Sequence, residues 1–119
     1  MPLSVWERRL TKLRELGVNS IRTSHNPPAP EFLDLCDRMG FLVMDEFFDC
    51  WLKGKRTADY HLHFKEWSHT DLRDGILRDR NHPSVVLYSV GNEIHDTPKP
   101  DIAIPILKGL VDIAHDRLP

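Results

Sequence analysis

The sequence predicts an α/β architecture of parallel strands alternating with helices. Stretches of helical apolar period alternate with short β-prone runs along the chain, no hairpin turn joins successive strands, and the strands' polar residues collect at their C-terminal ends. Alternation without hairpins calls for parallel strands linked by crossovers. The expected order is α-β-α-β-α-β-α, three strands with about four helices.

Ser4-Val5-Trp6-Glu7 has the capping-box pattern, in which the Ser hydroxyl takes an orphan amide and Glu7 reaches back. Behind it Trp6, Leu10, Leu13 and Leu16 share one helical face, and Gly17 suits the left-handed residue that closes a helix. Residues 18–24 form a β-prone run closed by His25-Asn26-Pro27-Pro28, because proline lacks an amide donor and restrains its predecessor. Pro30 fits the first turn of a second helix, with Phe32, Leu35, Cys36 and Met39 buried and Gly40 as its stop.

Residues 41–44 are apolar without alternation, as in a strand covered on both faces. They run into Asp45-Glu46-Phe47-Phe48-Asp49-Cys50-Trp51 and then a polar loop over residues 53–60. A third helix over residues 64–80 is expected to bury Phe64, Trp67, Leu72, Ile76 and Leu77 before Asn81-His82-Pro83 breaks it. Residues 85–90 make the third strand, ending at Gly91-Asn92-Glu93. Ile106, Leu110, Ile113 and Ala114 mark a last helix ending near Arg117.

At 119 residues, 40% of them hydrophobic, the chain is one domain by length with an ordinary core fraction. Lys+Arg 16 against Asp+Glu 18 leaves no basic excess, so nucleic acid is not an expected partner. No stretch approaches the ~18 apolar residues of a membrane span, and the first residues lack a signal peptide's basic and apolar regions. Cys36 and Cys50 are too few for a disulfide scaffold and read as free thiols, one on a helix and one on a loop. Without GxGxxG, Walker A or GxSxG, nucleotide and acyl-transfer chemistry have no support and no cofactor is expected.

Arg22 with His25, Asp45 with Glu46, and Asn92 with Glu93 all fall at strand C-termini, the edge where parallel α/β folds place their chemistry. Burial there would raise the Glu93 carboxyl and suit it to general-acid work. A Glu after a strand is more often a helix N-terminal or salt-bridge residue. The planar fork of Arg22 and the imidazole of His25 suit a polyhydroxylated or carboxylated ligand, although Arg22 paired with Asp45 across adjacent strands is an equally good reading. Asp45-Glu46 could hold such an arginine, bond a sugar hydroxyl or polarise the strand mouth. His61, His63 and His69 lack the spacing of a zinc site and read as surface residues, so no metal is expected. Phe47 and Phe48 read as core, and Trp51 as either core or a sugar-stacking face.

Asn19-Ser20-Ile21-Arg22-Thr23-Ser24-His25-Asn26-Pro27, followed by Asp37-Arg38-Met39-Gly40-Phe41-Leu42-Val43-Met44, resembles the first signature of glycoside hydrolase family 2. That family holds the β-galactosidases, β-glucuronidases and β-mannosidases. Asp79-Arg80-Asn81-His82-Pro83-Ser84-Val85-Val86-Leu87-Tyr88-Ser89-Val90-Gly91-Asn92-Glu93 resembles its second signature, which ends in the acid/base Asn-Glu. The resemblance implies a partial (β/α)8 TIM barrel, with residues 1–119 as one catalytic-barrel segment from first helix to fourth. It implies retaining hydrolysis of a β-linked glycoside, β-galactoside ranked first on family frequency. Glu93 would be the general acid/base, Asn92 would bind near the sugar 2-hydroxyl, and Arg22, His25 and Asp45 would line the pocket.

Retention needs a second carboxylate about 5 Å from the first. The family keeps it on a later strand, beyond this chain, so the isolated chain is expected to be inactive. Asn26 stands where the first signature usually has Tyr, and Tyr88 where the second usually has Trp. Cys50 and Leu52 stand where large bacterial β-galactosidases hold magnesium with Glu and His. An arc of three strands has two open edges and is expected to self-associate. The alternative is a stand-alone module that binds carbohydrate without cleaving it.

Overall fold

The computed structural model describes residues 1–118, and in them the expected alternation of helix and strand is present. The elements are α1 (Leu3–Glu15), β1 (Ser20–Arg22), α2 (Pro30–Met39), β2 (Leu42–Glu46), α3 (His61–Asp79), β3 (Val85–Ser89) and α4 (Pro100–Arg117). The strands form one open parallel sheet in the order β1-β2-β3. This is an arc of an α/β barrel with neither edge strand closed by a partner among the described residues.

Ile21 and Val43 pack with Leu10, Phe32, Leu35 and Phe41 into a core under α1 and α2. Phe47, Tyr88 and Val90 pack with Phe64, Leu72, Ile76 and Leu110 under α3 and α4. The same face of the sheet therefore supports both helix pairs. The alternate residues point the other way, and there Leu42 and Leu87 are 47% and 55% exposed. β2 is thus covered on one face within this chain, not on both as its unbroken apolar run suggested. Along β2 and β3 the register steps from Val43↔Val85 to Met44↔Leu87, so Val86 is an extra residue, a β-bulge.

Pro30 begins α2, and Gly17 and Gly40 take left-handed φ of 84° and 76° just beyond the first two helices, as expected. The capping box does not form. α1 starts at Leu3 with Pro2 as its N-cap and no side-chain cap, which places Ser4 and Glu7 inside the helix. The extended entry is made by Pro2 itself, with φ -61° and ψ 144°. Leu16 lies beyond the packed stripe and is exposed.

α3 buries Phe64, Ser68, Leu72, Ile76 and Asp79, a narrow stripe of i+4 and i+3 steps. Trp67 and Leu77 lie off that stripe and are exposed, contrary to expectation. Trp51 is buried against Phe64 and donates its indole N–H to the Val90 carbonyl at 2.9 Å. It is core and offers no sugar-stacking face. Cys36 and Cys50 are free and buried.

Candidate active site

The exposed face of the sheet becomes polar at its C-terminal end. β1 supplies Arg22, β2 supplies Glu46 and β3 supplies Ser89, three side chains that alternation sets on one face. Glu46 is fully buried and sits at their centre. Its Oε2 accepts Arg22 Nε at 2.9 Å and Ser89 Oγ at 2.8 Å, and its Oε1 accepts Arg22 Nη2 at 3.1 Å. His25 Nδ1 lies 2.7 Å from Oε1. A carboxylate only accepts, so Nδ1 carries the imidazole hydrogen and Nε2 is left free. The Ser24–His25 peptide before it is cis. Burial alone would raise the Glu46 carboxyl, but the bonds from His25, Ser89 and Arg22 together outweigh it and hold it below the ordinary range.

Asn92 ties this cluster to β3. Its Oδ1 accepts Arg22 Nη2 at 2.6 Å, its Nδ2 donates to Asp49 Oδ1 at 3.0 Å, and its backbone N–H donates to the Phe48 carbonyl at 3.0 Å. These bonds leave one Nδ2 hydrogen of Asn92, the Nη1 group of Arg22 and Nε2 of His25 for a ligand. Glu93 follows directly, exposed to solvent, with a left-handed φ of 43° that is rare for a residue with a Cβ. The burial expected of its carboxyl is not present in this chain.

Asp45 does not join Arg22, His25 and Asn92. It lies on the opposite face of β2, fully buried, next to Asp79 at the end of α3. Asp79 takes both of its bonds from Arg78, Nε at 2.6 Å and Nη2 at 2.8 Å. Neither Asp45 oxygen meets a donor among the described residues. With the Arg78 fork spent on Asp79, Asp45 is satisfied when it keeps its proton and donates it to Asp79. Burial, then Asp79, pushes Asp45 up to about 8. Arg22 accordingly pairs with Glu46 and not with Asp45. Once Val43 is seen to face the helices, period-two alternation sets Asp45 towards them and Glu46 away.

His61 pairs through Nδ1 with Asp59, while His63 and His69 are exposed, as surface residues should be. Asp34, Asp37 and His82 come within reach of one another. The shared atom, His82 Nδ1, already bonds Asp37 at 2.6 Å, and Asp37 also accepts the Ser84 amide at 3.0 Å, which makes this a brace between α2 and β3. At the positions compared with the magnesium site, Leu52 has no donor atom. The buried Cys50 thiol is pushed up to about 11 by burial and by Asp59. A protonated thiol and an alkyl chain do not fit a hard cation. Sequence reasoning did not assign roles to Ser89, Asp49 or Lys55, which meet the site from β3 and from the β2–α3 segment.

Polar groups converging at the C-terminal mouth of parallel strands occupy the place where α/β-barrel enzymes carry their chemistry. The chain belongs to glycoside hydrolase family 2: the family described as "Glycosyl hydrolases family 2, TIM barrel domain" matches residues 1–108. A β-galactosidase of Bacteroides ovatus is 65% identical over 88 residues, which is 74% of this chain and 10% of that protein. Mouse β-glucuronidase is 41% identical over 93 residues, again 74% of this chain and 13% of that protein. Among solved structures, a family 2 member from Bacteroides cellulosilyticus superposes with TM-score 0.90 at 39% identity, covering 96% of this chain and 15% of its own. A β-glucuronidase of Faecalibacterium prausnitzii superposes with TM-score 0.85 at 35% identity, covering 100% and 20%. The chain thus spans between a tenth and a fifth of the length of these relatives.

Proposed function

We propose that this chain is the acid/base-bearing segment of a retaining β-glycosidase, acting on β-galactosides, and that by itself it does not turn over. The observation that carries the reading is the Asn92–Glu93 turn at the mouth of β3, tied by Arg22 to the buried Glu46. Glu93, exposed at that mouth, is the group that protonates the glycosidic oxygen and later takes a proton from water. Asn92, Arg22 and His25 hold the sugar through their free donors, with the Asn92 amide towards the 2-hydroxyl. Its 65% identity to a β-galactosidase favours galactose over glucuronic acid.

Inactivity follows from the other carboxyls. Glu46 is buried and saturated, Asp49 is paired with Lys55 and Asn92, and Asp45 faces the helices. None is free to form the covalent glycosyl intermediate that a retaining mechanism needs about 5 Å from its acid.

The test assays the purified chain and Glu93→Gln on nitrophenyl β-galactoside, β-glucuronide and β-mannoside. No turnover is expected from either, while the galactoside perturbs the NMR signals of Arg22, His25 and Asn92. Turnover abolished by Glu93→Gln would show that a nucleophile is supplied by this chain or a second copy, and the claim of inactivity would fall. A folded chain whose signals no sugar perturbs would remove the binding assignments.

A further inference from the structure

The segment between β2 and α3 has no regular structure until residue 61, yet it is pinned at several points. Asp59 accepts the backbone amides of Lys55 and Arg56, each at 2.8 Å, and of His61 at 3.0 Å. Asp96, beyond β3, accepts the Lys53 amide on both carboxylate oxygens at 3.2 Å. A loop held this way sets Lys55 against the end of β3. The Lys55 side chain is 18% exposed, and its Nζ donates to the Asn92 carbonyl at 2.8 Å and to Asp49 Oδ1 at 2.7 Å.

A surface lysine would leave its ammonium in water. Here the ammonium is spent on a backbone carbonyl and on the carboxylate that also holds the Asn92 side chain. Asn92 is therefore gripped at Oδ1 by Arg22, at Nδ2 by Asp49 and at its carbonyl by Lys55. That carbonyl belongs to the Asn92–Glu93 peptide, whose orientation is set by ψ of Asn92 and φ of Glu93 together. A left-handed φ on a residue with a Cβ persists only where surroundings determine it. The bond from Lys55 acts directly on the peptide concerned.

We infer that Lys55 is a positioning residue that, with Asp49, holds the Asn92–Glu93 peptide so that Glu93 adopts its left-handed conformation and its carboxyl takes one direction at the strand mouth. The inference deepens the proposed acid/base role of Glu93 and rests on it for its functional meaning.

The test is NMR on the labelled chain, comparing wild type with Lys55→Met, which keeps the stem length and removes the charge. The Glu93 Cα and Cβ shifts and its HN–Hα coupling report its φ. The expected result is loss of the left-handed signature at Glu93 in Lys55→Met while the β2 and α3 amides keep their positions. Retention of that signature in a folded Lys55→Met chain overturns the inference. If Lys55→Met does not fold, the wild-type scalar coupling between Lys55 Nζ and the Asn92 carbonyl carbon decides. Its presence supports the clamp and its absence overturns it. None of these readouts needs turnover, so a failure of the glycosidase reading would appear separately, in the Glu93→Gln assay.

Discussion

Asp45 and Glu46 are adjacent carboxyls at the end of β2, and the pleat turns them to opposite faces. Glu46 meets Arg22, His25 and Ser89, and is ionised at neutral pH. Asp45 meets another carboxylate, with the Arg78 guanidinium held by Asp79 and the Tyr88 ring as its neighbours. Its folded value of about 8 lies above the unfolded value near 4. The native state therefore holds this proton more tightly. The stabilisation is complete below about pH 4 and is lost as pH rises to about 8. Asp45→Asn, which donates to Asp79 without titrating, should remove that loss. Thermal unfolding between about pH 5 and 9 is expected to show a melting temperature that falls less in the variant than in wild type. Parallel curves would mean that Asp45 does not hold the proton. Sequence alone left Asp45 and Glu46 interchangeable, because the run before them is apolar at every position and shows no face. Lys55 was less legible still, one charged residue in a polar loop whose partner lies 37 positions away.

The helix ends set by proline and glycine were the most readable part of the chain, while the capping-box start of α1 was not. Pro30, Gly40 and Asn81-His82-Pro83 act through their own backbone preferences and need no tertiary context. The buried face of α3 was readable only in part: Phe64, Leu72 and Ile76 lie on it as expected, while Ser68 and Asp79 take the remaining places on the stripe and leave Trp67 and Leu77 exposed. Gly75 has a packing reason to stand in the middle of that helix. A Cβ there would lie 2.2 Å from Cε1 of the buried Phe47 ring. Gly75→Ala would gain about 1 kcal/mol of helix propensity but incur roughly 1–3 kcal/mol of overpacking. A net destabilisation of about 1 kcal/mol is expected in urea unfolding, with part of it recovered in the double variant with Phe47→Leu. A Gly75→Ala chain more stable than wild type would show that α3 can move off the sheet without cost.

On the scale of the molecule, the barrel arc leaves two strand edges without partners among the described residues and one sheet face bearing exposed Leu42 and Leu87. Unpaired edges and uncovered apolar side chains both favour association. Sedimentation velocity is expected to show a larger species growing in as concentration rises from micromolar to hundreds of micromolar, and Leu87→Lys should suppress it. A single monomeric boundary at every concentration would show that the open edges are inert. The alternation of helix and strand made this architecture legible, but the polarity of the exposed sheet face was not. It depends on which residues of β3 point which way, and that is where the bulge acts. Val86 shifts the phase of the strand. Continued from Val85 without a slip, the alternation would turn Tyr88 towards Glu46 and Ser89 towards the helices. With the extra residue, the hydroxyl reaches the carboxylate and the phenol ring stacks on Phe47. β3 is read in two frames, one that packs its beginning into the core and one that delivers its end to the chemistry.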